Sequence, residues 1–317
     1  MKKLLILPIY YTLCVVSLPF LTTLFMPARP LDSSPPDYAP EEEQTISVFN
    51  HLTNTTENMK LEDYLIGVVA AEMPAAFENE ALKAQAVAAR TYTFYKAAST
   101  DHDADICTDS SHCQAYLTEY DMYLNWQNDY PRYYEKVKDA VYSTKGEIIT
   151  YDSKPVMAVF HSMGGGKTES SADVWGGDYP YLVSVESPGE EEATNYHSTL
   201  TVTFDEFKNK ITEKYPDITI SSPLDISKPT LTQGGHVKSL IIGGKTIEGT
   251  LMRTIFNLRS TKFSLSFSDS DNTVTFSVTG YGHGVGMSQY GANAMAKEGK
   301  TYKDILSHYY QGTTLTE

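Results

Sequence analysis

The strongest constraint on this chain is the proline at position 74. It follows the run Leu61–Met73, in which Leu61, Leu65 and Val68 recur at helical spacing. A residue that precedes proline is pushed out of helical geometry, so the helix must stop at Met73 with Glu72 in its last turn. Glu72 then occupies the next step of the apolar stripe, beside the negative end of the helix dipole. Apolar neighbours and the dipole both penalise the ionised carboxyl and raise its pKa. A carboxyl kept protonated near neutral pH is what a general acid requires. A helix-end glutamate that reaches solvent past Met73 is the competing reading, and the sequence alone leaves both open.

The N-terminus limits where such a site can work. Lys2 and Lys3 precede an uncharged run from Leu4 to Met26, about 23 residues and long enough to cross a bilayer. A cleaved signal would have a shorter apolar core and a small-residue cleavage site, which Leu24-Phe25-Met26-Pro27 does not offer. Cys14 lacks the small preceding residue of a lipoprotein site, since Leu13 stands there. Residues 1–26 are therefore expected to be an uncleaved single-pass anchor with the lysines cytoplasmic and the rest outside. Residues 27–44, rich in proline and carrying Glu41-Glu42-Glu43, read as a solvated linker. Residues 45–317 are expected to form one domain.

Net charge is −15, from 40 acidic and 25 basic residues. That argues against nucleic acid, whose affinity is carried by clustered Lys and Arg. Helical and hairpin patterns alternate without a βαβ rhythm, so the expected class is α+β. Helices are expected at Leu61–Glu72, Glu78–Ala97, near Tyr133–Ser143, at Phe204–Glu213, Glu248–Asn257, Met287–Lys297 and Tyr302–Tyr310. Hairpins are expected across Asp152–Pro155, Gly243-Gly244 and Asp269–Asn272, with strands also at Ile46–Phe49 and Tyr181–Val185.

Several constellations compete with bland alternatives. Lys83 and Arg90, two turns apart on one helix, are either a solvated basic face or two cations lining the cleft of Glu72, where they would lower its pKa. Glu62, Asp63 and Glu78 read as surface residues. Cys107 and Cys113, with His102 and His112 nearby, admit a disulfide, a zinc site or free thiols. His161–Thr168 ends like a phosphate-binding loop, but the first required glycine falls at His161. It also misses a nucleophile elbow, because Phe160 replaces the first glycine. Tyr281–Gly291 is a glycine-rich loop entering a helix; with Tyr281, His283, Gln289 and Tyr290 it reads as cleft lining that a polymer can approach closely.

The run Gly67–Pro74 followed by Glu80–Tyr92 closely resembles the stage II sporulation protein D family of peptidoglycan lytic transglycosylases. His112-Cys113-Gln114, Phe160–Thr168 through Trp175 and Tyr181-Leu182, and Gly280–Ala292 with His308-Tyr309-Tyr310 resemble it too. Asn257–Phe263 also resembles a family block, with no role assigned to it. The resemblance implies cleavage between N-acetylmuramic acid and N-acetylglucosamine to leave a 1,6-anhydro end, on glycan stripped of stem peptides, during the engulfment step of sporulation. It implies Glu72 as the single acid and base, because the sugar's own 6-hydroxyl replaces the water that a second carboxylate would activate. It further implies that His161, Ser162, Lys167 and Glu169 line the glycan groove. Gln114 is expected to face the cleft, with His112 beside it where that histidine is not a metal ligand. Zinc is implied on His102, Cys107 and Cys113, with His112 as the alternative ligand. A cell-wall amidase and a membrane scaffold are the implied partners. Two rivals stand beside this reading. One is a non-enzymatic wall-binding amidase modifier; the other is a glycan hydrolase using Glu169 or Asp173 as a second carboxylate.

Overall fold

The computed structural model describes residues 43–98 and 103–316. The expected anchor at 1–26, most of the linker and His102 lie outside the described residues. Among the described residues no helix is long and apolar enough to cross a membrane. Gln44–Glu317 forms a compact unit of helices mixed with several small sheets, which is the expected α+β class.

The chain opens with antiparallel strands β1 (Thr45–Asn50) and β2 (Thr55–Lys60). Helix α1 (Leu61–Glu72) follows directly and leads into α2 (Asn79–Ala97). Met73 takes extended geometry (φ −125°, ψ 136°), so the helix stops where Pro74 requires. A short β3 (Ile106–Cys107) pairs parallel to β1. Helices α3 (Glu119–Trp126) and α4 (Tyr130–Tyr142) come next. Strand β4 (Ile148–Tyr151) turns into β5 (Lys154–Pro155) through Asp152 and Ser153, both with positive φ, as a tight hairpin requires.

The remaining elements supply the site and a second core. They are β6 (Phe160–His161), α5 (Ser171–Trp175), β7 (His197–Thr203), α6 (Phe204–Lys214), β8 (Thr230–Leu231), β9 (Val237–Ile242), β10 (Lys245–Glu248) and α7 (Gly249–Phe256). The chain closes with β11 (Phe263–Ser268), β12 (Thr273–Thr279), β13 (Met287–Ser288), α8 (Gln289–Lys297), α9 (Tyr302–Tyr309) and β14 (Thr314–Thr316). Tyr181–Val185, expected as a strand, forms no ladder; it is an extended strap pinned by Thr168, whose amide donates to the Val185 carbonyl at 2.8 Å. Strand β7, absent from the expected set, completes the sheet β11-β12-β7; its residues are mostly polar or half-exposed, which hides its alternation.

Two hydrophobic clusters fill the unit. The larger packs α1, α2, α4, α8 and α9, and the smaller gathers Phe207, Val237, Phe256 and Phe276 from the 202–278 region. Helix α1 is buried almost all round, not along one stripe; Asp63 is its exposed residue. Glu62 and Arg90 correct the expectation. Arg90 is fully buried and its guanidinium bonds Glu62 at 2.5 and 3.1 Å, with further donations to the carbonyls of Glu147 and Val141. Arg90 therefore locks α2 to α1 instead of lining a cleft, and Glu62 is a core residue, not a surface one.

Removing one partner leaves an uncompensated buried charge, which costs about 3–5 kcal/mol. Arg90→Met is expected to lower stability by that order, read as a drop in denaturation midpoint, and Glu62→Gln to do so in the same direction.

Candidate functional site

The site grows from two close approaches. The first is at Gly67 in α1. A Cβ there would meet Tyr116 at 2.2 Å and the Leu117 carbonyl at 2.7 Å. The missing side chain lets residues 115–117 lie directly on α1, with the Leu117 amide donating to the Gly67 carbonyl at 3.1 Å. That contact brings the Ala115 amide to the Glu72 carboxylate at 2.7 Å. Burial raises the Glu72 pKa from its usual value, and the Ala115 amide opposes that by favouring the charged form. The net direction is up. Lys83 instead pairs with Glu80 at 2.7 Å and stands near the Tyr302 ring, so neither expected cation lowers Glu72.

The second approach joins the two glycine-rich segments, which the sequence separates by more than a hundred residues. Strands β6 and β13 pair in parallel, Phe160 with Met287 and His161 with Ser288. Met163 and Tyr281 exchange backbone hydrogen bonds at 2.9 and 2.8 Å, and the Tyr290 amide donates to the Ser162 carbonyl at 3.1 Å. A buried carboxylate that the sequence reading missed holds this junction. Glu190 accepts the amides of Gly164 (2.8 Å) and Gly166 (2.7 Å) and the hydroxyls of Ser187 (2.7 Å) and Ser288 (2.5 Å). It lies in the acidic run Glu190–Glu192, which in sequence looks like a solvated loop.

Two adjoining grooves, of about 490 and 610 Å3, meet at Glu72 and share Phe160, His161, Tyr281 and Gly282. The first runs between the 110–114 loop and Trp175 and includes Gln114 and His283. The second includes Ser162, Gln289, Tyr290 and Arg259. Among the described residues lining the two grooves, Glu72 is the only carboxylate. His161 and His283 sit with ring centroids 5.6 Å apart, and Trp175 lies 5.2 Å from His283. Burial lowers both histidines to about 3, so both are neutral. The Nε2 atom of His161 is buried without a hydrogen-bond partner among the described residues.

Two residues implied as groove lining are placed elsewhere. Lys167 pairs with Glu186 at 3.1 Å and lines neither groove. Glu169 is buried beneath the second glycine-rich loop, its amide bonded to the Gly284 carbonyl and its carboxylate to the Thr232 hydroxyl at 2.8 Å. Burial pushes its carboxyl up to about 7. His236 approaches it at 4.0 Å but is held neutral, because burial lowers it to about 4; this contact is not an ion pair. Asp173, the other nominee for a second carboxylate, is bound to Lys238 at 2.8 Å and to Ser170. Arg259, Trp126 and Asn195 line the grooves without having been singled out, and Trp175, named only as part of a resembling block, lines the first. For Arg259 a signal existed, in the Asn257–Phe263 block that had no role.

Cys107 and Cys113 are not bonded to each other. Their sulfurs lie 3.4 and 3.3 Å from Nδ1 of His112, and the three donor atoms fall within 4.8 Å of one another. Two thiols and an imidazole so clustered fit zinc by donor type.

A family model described as "Stage II sporulation protein" (SpoIID) matches residues 50–151. The chain is 40% identical to the Stage II sporulation protein D of Bacillus subtilis, over 86% of this chain and 79% of that one. It is 37% identical to the protein of the same name from Bacillus amyloliquefaciens, over 87% and 80%. It is also similar to the Amidase enhancer of Bacillus subtilis, 30% identical over 80% of this chain but 40% of that longer protein.

Two outcomes follow from the site. Glu190→Ala strands the Gly164 and Gly166 amides and is expected to cost about 2–4 kcal/mol in denaturant unfolding. For Glu72, a raised folded pKa means that stability is fully present below the unfolded value and declines as pH rises toward the folded one. Glu72→Gln keeps an acceptor for Ala115 and has no such titration. Its melting temperature should equal that of the native chain at low pH and exceed it above the raised pKa; a constant offset across pH contradicts the shift.

Proposed function

This chain belongs to the stage II sporulation protein D family, and from that membership and the cleft around Glu72 we propose that it is a peptidoglycan lytic transglycosylase acting in sporulation engulfment. The observation that carries the reading is that Glu72, at the meeting point of the two grooves, is the one carboxyl among the described residues that line them. A hydrolase needs a second carboxylate to activate water or to attack the sugar. In a transglycosylase, protonated Glu72 gives its proton to the glycosidic oxygen as the bond to C1 of N-acetylmuramic acid breaks. The 6-hydroxyl of the same sugar then bonds C1 and returns its proton to the Glu72 carboxylate. Atoms balance without water, and the product ends in a 1,6-anhydro ring. The raised pKa of Glu72 supports the first step, and the neutral imidazoles of His161 and His283 leave that pKa high.

Zinc on Cys107, Cys113 and one histidine belongs to this reading; the closeness of His112 to both sulfurs supports it as that ligand, with His102 as the alternative. Ser111 to Gln114 form part of the first groove wall, so a bound ion would brace that wall and, through Ala115, the hydrogen bond to Glu72. The expected placement is a single-pass anchor with the catalytic unit outside the cell membrane and a membrane scaffold beside it. Likeness to a protein named Amidase enhancer supports a cell-wall amidase as partner. That likeness also favours a second reading, an amidase modifier that binds wall glycan without cutting it.

The test is digestion of peptide-free glycan strands by the purified full chain, with products weighed by mass spectrometry. Anhydro ends, one water lighter than hydrolysed ends, are expected from the native chain. Glu72→Gln should lower their rate by at least about a thousandfold; undiminished product from that variant sinks the assignment, and binding without any cleavage by the native chain favours the modifier. Cys113→Ser should lose bound zinc, and activity should fall with it while Glu72 remains intact.

A further inference from the structure

We propose that Arg259 is the carboxylate-recognition residue of the glycan groove, and that its ligand is the lactyl carboxylate of N-acetylmuramic acid; this rests on the glycan reading above. The chain carries a net charge of −15, yet a half-buried guanidinium lines the second of the grooves that meet at Glu72. Among the described residues lining either groove, Arg259 is the only Lys or Arg. The neighbouring cations are already engaged. Lys262 donates to the Gly165 carbonyl at 2.6 Å, Arg253 donates to the Leu258 carbonyl at 3.2 Å, and Lys167 pairs with Glu186. Arg259 pairs with no carboxylate among the described residues.

The residue is also held in place. Its guanidinium lies 4.3 Å from the centre of the Tyr281 ring, and its carbonyl accepts the Gly282 amide at 3.0 Å. Stacking fixes the plane of the fork while leaving its N–H edge available, which is the arrangement that accepts a carboxylate through two parallel hydrogen bonds. Both contacts are made by residues that line the grooves on either side of Glu72. A sugar seated against Tyr281 and Gly282 thus presents its substituents to one fixed cation.

The chemistry of the glycan names the substituent. N-acetylglucosamine is neutral, whereas N-acetylmuramic acid bears a lactyl ether ending in a carboxylate. That carboxylate is free when no peptide is attached and becomes a neutral amide when a stem peptide is present. A single guanidinium can therefore distinguish the two sugars of the strand and set the register of the muramic residue beside Glu72.

The experiment measures equilibrium binding to full-length Glu72→Gln protein in detergent, which separates recognition from turnover. Three probes are used: peptide-free alternating strands, the same strands with their lactyl carboxylates capped as methylamides, and N-acetylglucosamine oligomers of equal length. The free-acid strand is expected to bind about tenfold or more tightly than either neutral probe, with the difference shrinking as salt rises. Adding Arg259→Met should erase the difference by weakening the free-acid strand alone, and Arg259→Lys should keep part of it. Equal binding of free and capped strands, a comparison that needs no change at Arg259, overturns the proposal, as does a preference that survives Arg259→Met. Failure to bind any of the three probes overturns the glycan reading and this assignment together; binding without preference overturns Arg259 alone.

Discussion

The buried ion pair between Arg90 and Glu62 sets the geometry on which the cleft depends. Arg90 reaches from the middle of α2 to the first turn of α1 and also bonds two carbonyls around α4 and β4. Four bonds from one guanidinium fix the rotation of α1 about its axis. At about 100° per residue, the ten positions from Glu62 to Glu72 place the second carboxyl roughly a quarter-turn from the first. One glutamate is thereby held inward in a fully compensated pair, and the other emerges at the helix end, where the grooves meet. The same residue type is locked in an ion pair at one end of the helix and, in the proposed reading, serves chemistry at the other; the difference lies in whether a cation is built in beside it.

The electrostatics around Glu72 follow from what has been kept away. Lys83 is paired with Glu80, Arg90 with Glu62, and the imidazoles of His161 and His283 are neutral because burial disfavours their charged forms. The Ala115 amide is then the main influence favouring the carboxylate, and burial outweighs it. Such a balance suits a group that must be an acid first and a base afterwards. Too many donors would fix the carboxylate and remove the acid; none would leave the base without support.

Local signals were legible in the sequence. Pro74 dictated the end of α1, the Ala-rich run gave α2, and Gly243-Gly244 and Asp269–Asn272 marked hairpins that the structure contains. The glycine-rich motifs were also visible, yet their pairing through Phe160–Met287 and Met163–Tyr281 was not, because sequence patterns carry no information about which distant segments lie side by side. Arg90 was misplaced for a related reason: its partner Glu62 looks, at the start of a helix, like an ordinary dipole-complementing surface acid. Glu190 was hidden within three consecutive glutamates, and only its four donors distinguish it from its neighbours. The Tyr181–Val185 strap has strand composition but no neighbouring backbone that forms a ladder with it.

The proposed reaction needs one carboxyl only, without a second to activate water. Digestion of peptide-free strands in water enriched in heavy oxygen tests it most directly. If the 6-hydroxyl is the nucleophile, the newly formed muramic ends carry no heavy oxygen and retain the anhydro ring. Ends that incorporate one heavy oxygen at C1 in the first turnover would mean that water attacks, and the single-carboxyl account would be wrong.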